Sequence, residues 1–254
     1  MAEFQSGDVR IHYEVYGAGR PIVLVHGVAS SFRRNFYNPG WVSFLTEHDF
    51  QVIGLDLRGH GESEKLYDSE RYRPADFTAD LVRLLDQLHL SVVDMLGYSM
   101  GGYVTLDFAL AHPERVRRLV LGGVGDRVLN AGRAQGVPGD ITTALEAASA
   151  EAIADPILRQ YRVFAEQTGS DIRALRAVMR GPFWAPRDVA RIRQIAHPVL
   201  IFVGADDGIA GSAVQLAQTI PGARLVTIPN RNHFTAVGDK RSMEAVTNFL
   251  AEQG

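Results

Sequence analysis

The segment Gly97-Tyr98-Ser99-Met100-Gly101-Gly102 carries the sharpest chemical signal in the chain. A serine with glycine two positions away on either side suits a cramped strand-to-helix turn that thrusts the hydroxyl out as a nucleophile. An apolar strand pattern, Val92 to Leu96, precedes it, and a helical pattern, Met100 to Ala111, follows it. A neutral serine is a poor nucleophile, so it needs a base within hydrogen-bond reach and a group that orients that base. After Ser99 the chain offers His112, His197 and His233. His112 and His197 each precede a proline that leads toward a strand, a structural entry position. His233 lies between the apolar run Leu225 to Ile228 and the last helix, in a loop able to reach over a sheet, and is a candidate base. Gly204-Ala205-Asp206-Asp207 closes another strand and supplies candidate acids, with Asp126 a more distant one.

These residues must be held by regular elements, and the hydropathy pattern names them. Val9 to Tyr16 alternates apolar and polar residues as a half-buried strand does. Pro21 to Val25, Phe50 to Leu55, Val92 to Leu96, Val116 to Leu121 and Pro198 to Val203 are short apolar runs, as expected for strands covered on both faces. Between them lie helical periods. Phe77, Leu81, Leu84, Leu85 and Leu88 share a face with Pro74 near the start, Met100 to Ala111 ends at His112-Pro113, and Arg241 to Ala251 forms the last helix. Such alternation predicts a mostly parallel, doubly wound α/β sheet.

The alternation breaks between Asp126 and Ala196. Ile141 to Ala154 and Asp171 to Met179 read as helices, with Gly132, Gly136, Pro138 and Gly139 marking a loop before them. An insertion of that length is usually functional. It reads as a lid spanning residues 126–196, set into a core domain of residues 1–125 and 197–254.

Composition narrows the possible functions. Lys and Arg number 26 against 29 Asp and Glu, a net charge of −3, which excludes a polybasic nucleic-acid binder as the default. Apolar residues make up 46% and charged residues 22%, a globular balance. The chain has no cysteine, so disulfides, thiolate nucleophiles and cysteine-based metal sites are excluded. No paired histidines at ligand spacing suggest a metal, and no cofactor is expected. Glu3 and Asp8 stand where a signal peptide would be basic, and no apolar run is long enough to span a bilayer, so a cytoplasmic protein without membrane partners is expected.

The nucleophile turn, together with His26-Gly27 and Asp56-Leu57-Arg58-Gly59-His60-Gly61-Glu62-Ser63, resembles the α/β-hydrolase family over nearly the whole chain. The resemblance implies an eight-stranded sheet with a helical cap inserted after the sixth strand. It also implies the chain order nucleophile, acid, histidine, and it places the acid three residues after Gly204, which favours Asp207 over its neighbour Asp206. Asp207 would orient His233, while the backbone N–H groups of Met100 and Val28 would receive the oxyanion, with Ala29 or Phe32 as alternatives in the second loop. His60 takes a structural role in this pattern. Gly122-Gly123-Val124-Gly125 lacks the spacing of a phosphate loop and reads as a lid hinge.

Two departures stand out. Asn232 precedes His233 where family members commonly carry glycine, and an asparagine tolerates a left-handed backbone there. No proline follows His26-Gly27, which separates the chain from several subfamilies, the cofactor-free perhydrolase-like enzymes among them. The leading expectation is a carboxylesterase-like serine hydrolase acting on a small or medium, fairly apolar ester, with Phe164, Met179, Phe183 and Trp184 as substrate-binding candidates. The same three residues also serve lactones, thioesters, amides or the carbon–carbon bond of a vinylogous diketone. A receptor that binds a small apolar ligand without turnover is the reading from another class. Serine at the nucleophile argues against dehalogenase or epoxide-hydrolase chemistry.

Overall fold

A computed structural model describes residues 2–129, 137–185 and 187–252. Strands β1 (Ala2–Ser6) and β2 (Val9–Tyr16) form an antiparallel hairpin, and β2 then pairs antiparallel with β4 (Phe50–Leu55). From there the sheet is parallel through β3 (Arg20–Val25), β5 (Val93–Tyr98), β6 (Val116–Gly122), β7 (Val199–Gly204) and β8 (Arg224–Ile228). The strand order is β1-β2-β4-β3-β5-β6-β7-β8. After β3 the chain steps to one side to make β4, then crosses back over to make β5. The carboxyl ends of β3 and β5 therefore border the point where winding reverses, the usual ligand crevice of an open α/β sheet.

The apolar runs of the sequence become strands because both faces of the sheet are covered. In β3, Ile22 and Leu24 enter one core and Val23 and Val25 the other; in β7, Leu200 and Phe202 oppose Val199, Ile201 and Val203. Helices α1 (Trp41–Thr46) and α9 (Lys240–Ala251) cover the first face with Trp41, Leu45, Val246, Phe249 and Leu250. Helices α2 (Pro74–Gln87), α3 (Met100–Ala111) and α8 (Val214–Thr219) cover the second with Phe77, Leu81, Val104, Phe108 and Leu216. Each such side chain contributes about 1.5–3 kcal/mol on full burial, so the two layers hold the sheet rigid beneath its loops.

Between β6 and β7 the chain forms α4 (Val137–Glu146), α5 (Pro156–Gln167), α6 (Ile172–Arg180) and α7 (Val189–Ile192). Helices α5 and α6 start where Asp155 and Asp171 accept the N–H groups of the first turn. The loop expected at Pro138 and Gly139 is instead the first turn of α4, where a proline is tolerated because its missing N–H has no intrahelical partner. Gly132 and Gly136 lie outside the described residues. Val92, expected in a strand, stays outside β5 and is 41% exposed. Among the described residues no helix is long and apolar enough to cross a membrane.

Candidate active site

Ser99 sits between the last residue of β5 and the first of α3, with φ 53° and ψ −120°. A non-glycine residue held there stores strain, which only a tightly determined turn sustains. The glycines around it are explained by contact. A Cβ on Gly97 would meet the Gly101 carbonyl oxygen at 2.2 Å and Thr105 Oγ1 at 2.4 Å, and one on Gly101 would meet the Val25 oxygen at 2.0 Å. Packing of the turn onto β3 and α3 thus leaves the Ser99 side chain facing outward, partly buried.

His233 Nε2 lies 2.9 Å from Ser99 Oγ, and its Nδ1 lies 2.8 Å from Asp207 Oδ2. With Nδ1–H donating to the carboxylate, Nε2 keeps a lone pair for the serine proton. His233 and Asp207 are both buried. The other oxygen of Asp207, Oδ1, accepts the N–H groups of Ile209 at 3.0 Å and Ala210 at 2.7 Å, which fixes the carboxylate plane. Asp206 is exposed, and its N–H donates to the Arg231 carbonyl, so the two adjacent acids are sorted by the turn itself. Asp126 accepts the Leu216 N–H at 2.8 Å and braces α8. His112 and His197 stand before β6 and β7, at the opposite end of the sheet from Ser99.

Tyr98 secures the histidine loop: its hydroxyl donates to the His233 carbonyl at 2.6 Å, and its ring packs against the imidazole. Burial holds this phenol well above its ordinary pKa, with the Asp207 charge adding to the rise. Asn232 does not use a left-handed backbone; it is absent from the positive-φ residues, which include Asn230 at 58°. Its side-chain oxygen instead accepts the N–H groups of Phe234 at 3.0 Å and Thr235 at 3.1 Å, an Asx turn that a glycine could not make.

Met100 opens α3, so its N–H has no intrahelical acceptor and points out of the positive end of the helix. The loop after β3 comes alongside, and a Cβ on Gly27 would meet Ser99 Cβ at 3.2 Å. The Val28 N–H has no acceptor among the described residues, whereas the Phe32 N–H is taken by Asp56 Oδ1 at 2.8 Å, which leaves Phe32 unable to serve. The loop is braced by Asn35 Oδ1, which accepts the Gly27 N–H at 2.8 Å, and it turns at Ala29 with φ 58°. Below it, His26 Nε2 accepts the Leu57 N–H, and the His60 ring packs on the His26 ring at 5.3 Å. His60 is buried, with Nδ1 directed at the Arg58 carbonyl, as a supporting residue would be. The glycine run that starts with the last residue of β6 serves close approach: a Cβ on Gly122 would meet the Phe202 ring at 2.4 Å.

Ser99 and His233 open into a cavity of about 130 Å³. Val28, Tyr161, Phe164, Phe234 and Val237 make its apolar wall, and Ser30, Arg34 and Asn35 a polar one. Of the four aromatic and sulfur residues expected to bind substrate, Phe164 lines this cavity. Met179, Phe183 and Trp184 do not. Phe183 is buried against Phe77, Tyr103 and Trp184, Met179 enters the sheet-side core, and Trp184 Nε1 donates to the Val178 carbonyl at 3.1 Å. Tyr161 is a residue that sequence reasoning missed, although it lies three positions from Phe164 on the same face of α5. Burial, reinforced by the Asp207 charge, raises the Tyr161 pKa, while hydrogen bonding with the Ser99 hydroxyl pulls it down. Among the described residues no group of three or more histidines and carboxylates could hold a metal ion.

Comparison with known proteins identifies the family of the fold. Residues 20–238 match the family described as alpha/beta hydrolase fold. The 2-hydroxymuconate semialdehyde hydrolase of Pseudomonas putida is 29% identical over 276 residues, spanning 98% of this chain and 94% of the relative. Among solved structures, the bromoperoxidase from Bacillus anthracis superimposes with a TM-score of 0.81 at 22% identity, covering 99% of each chain. The esterase from Exiguobacterium antarcticum does so at 0.78 and 21% identity, covering 98% of this chain and 97% of its own. At those identities the two structures speak for the fold alone. The family match over most of the chain and the sheet topology agree: this protein belongs to the α/β-hydrolase fold family.

Proposed function

We propose that the protein is a serine hydrolase that cleaves a small carboxylic ester through an acyl-enzyme intermediate. The observation that carries this reading is the continuous path from Ser99 Oγ through His233 to Asp207, at 2.9 Å and 2.8 Å. His233 Nε2 takes the Ser99 proton as Oγ attacks the ester carbonyl. The resulting oxyanion is received by the Met100 and Val28 N–H groups, which stand on a rigid turn and a braced loop and need no reorganisation. The imidazolium then passes its proton to the departing alcohol oxygen, and the carbon–oxygen bond breaks. Water then attacks the acyl carbonyl while His233 removes its proton, the bond from the acyl carbon to Ser99 Oγ breaks as the imidazolium returns that proton to Oγ, and the carboxylic acid leaves. The helical segment between β6 and β7 acts as a lid, with Tyr161 and Phe164 of α5 supplying apolar wall to the cavity. A cavity of about 130 Å³ suits a short acyl chain.

A second reading keeps the same residues and changes the bond to the carbon–carbon bond of a vinylogous diketone. The similarity to 2-hydroxymuconate semialdehyde hydrolase over 98% of the chain favours it. A panel of 4-nitrophenyl esters of two to eight carbons, lactones and ring-cleavage dienoates separates the two by relative kcat/KM. Preference for short esters is expected. Turnover confined to the dienoates would move the assignment to the second reading, and no turnover of any member would end both.

A further inference from the structure

Resting on the proposed hydrolytic reading, we infer that the substrate carries a carboxylate in addition to the scissile carbonyl, and that Arg34 and Ser30 receive it. Both residues line the cavity that contains Ser99. Arg34 is exposed at its rim, and among the described residues its guanidinium has no acidic partner. The recorded bond from this group is a long one, 3.4 Å from Nη2 to the Gln167 carbonyl at the end of α5. An arginine presents five N–H donors, so nearly all of them remain for a ligand. Its neighbour Arg33 behaves in the opposite way, with both ends of its guanidinium committed to Glu14 at 2.7 Å. Ser30 is 4% exposed, and its hydroxyl has no hydrogen-bond partner among the described residues. A buried hydroxyl left without a partner costs free energy that a ligand oxygen would recover. Asn35 adds to this wall: its Oδ1 is occupied by the Gly27 N–H, so the amide nitrogen is the end left for an acceptor. Among the described residues that line the cavity none carries a carboxylate to compete for the guanidinium. Three donor side chains that line one cavity suit an anionic, planar acceptor, and a guanidinium and a carboxylate pair through parallel hydrogen bonds.

The test compares matched esters that differ by one carboxylate. On the acyl side these are the 4-nitrophenyl hemiester of glutaric acid and 4-nitrophenyl pentanoate; on the alcohol side, 3-acetoxybenzoate and phenyl acetate. At least one charged member is expected to exceed its neutral partner in kcat/KM by about ten- to hundredfold, the range for a hydrogen bond to a charged group. Whichever pair responds shows which part of the substrate faces Arg34. Arg34→Glu should reverse that ratio and Ser30→Ala should reduce it. Charged esters that are no better than neutral ones, with ratios unmoved by Arg34→Glu, would overturn the inference. If no ester is turned over, the hydrolytic reading has failed, and binding decides the anion site separately. Monomethyl glutarate should then raise the Tm of Ser99→Ala and leave that of Ser99→Ala/Arg34→Glu unchanged. Equal shifts, or none, would sink the anion site.

Discussion

The Tyr98 hydroxyl donates to the His233 carbonyl at 2.6 Å, so the residue beside the nucleophile in the chain also anchors the loop of its histidine partner. Ser99 and His233 are 134 positions apart, yet this one bond makes their spacing a property of the end of β5. Tyr98→Phe keeps the ring contact and deletes the donor. Stability should fall by about 1–3 kcal/mol, the cost of leaving a buried carbonyl unsatisfied. The kcat should fall about tenfold as the imidazole loses its position, with little change in KM. Chemical denaturation and steady-state kinetics on one short ester check both. A fall in stability with kcat intact would assign Tyr98 to the fold alone.

The two adjacent acids should separate cleanly. Asp207→Asn is expected to lower kcat by about 10³ to 10⁴, because an amide in that place stabilises the wrong imidazole tautomer. Asp206→Asn should change kcat less than about twofold, since its exposed side chain touches neither His233 nor the cavity wall. Equal damage from both would contradict the geometry around Gly204.

His60 gives the fold a defined response to acid. Burial lowers its pKa from the ordinary 6.5 to about 3, and His26 beneath the Val28 loop is lowered for the same first reason. The unfolded chain therefore binds protons below pH 6.5 that the folded chain refuses. Stability is then greatest above pH 6.5 and declines as the pH falls toward 3. Urea unfolding at pH 7, 6, 5 and 4 should show the decline, and His60→Gln should make it shallower. An identical slope in the variant would remove His60 from the account.

A buried ion pair ties the same loop to α2. Arg58 donates to Asp80 through Nε at 2.8 Å and Nη2 at 2.7 Å, and both side chains are nearly inaccessible. Asp80→Ala strands a buried guanidinium and should cost about 3–5 kcal/mol. Arg58→Met/Asp80→Leu removes both charges and should restore most of it. Thermal denaturation of the three proteins checks this, and a double variant no better than the single one would show that the pair matters for more than charge compensation.

How much of this was legible in the sequence depends on whether the cause is local. The Ser99 turn could be read because its reason lies within five residues: Gly97 and Gly101 exist to let β5, α3 and β3 touch. Asp207 could be ranked above Asp206 only through the family resemblance, which places the acid three residues after Gly204, and the two N–H donors that fix it lie in the turn beyond. The wall of the cavity was less legible. Phe164, Met179, Phe183 and Trp184 are alike in hydropathy, and an amphipathic helix says that a face is buried without saying against what. Phe183 turned to Phe77 and Tyr103, whereas Phe164 turned toward Phe234 and the cavity. Asn232 shows the same limit at one residue, since asparagine serves a left-handed turn or an Asx turn equally well, and here it makes the second.

Activation of the Ser99 hydroxyl by His233 is tested by covalent trapping. The intact protein is treated with a fluorophosphonate and digested, and the modified peptide is sequenced by mass spectrometry. One adduct per chain on Ser99 is expected, with labelling slowed severely in His233→Ala. Label on another residue, or labelling of Ser99 at an undiminished rate in His233→Ala, would contradict the account.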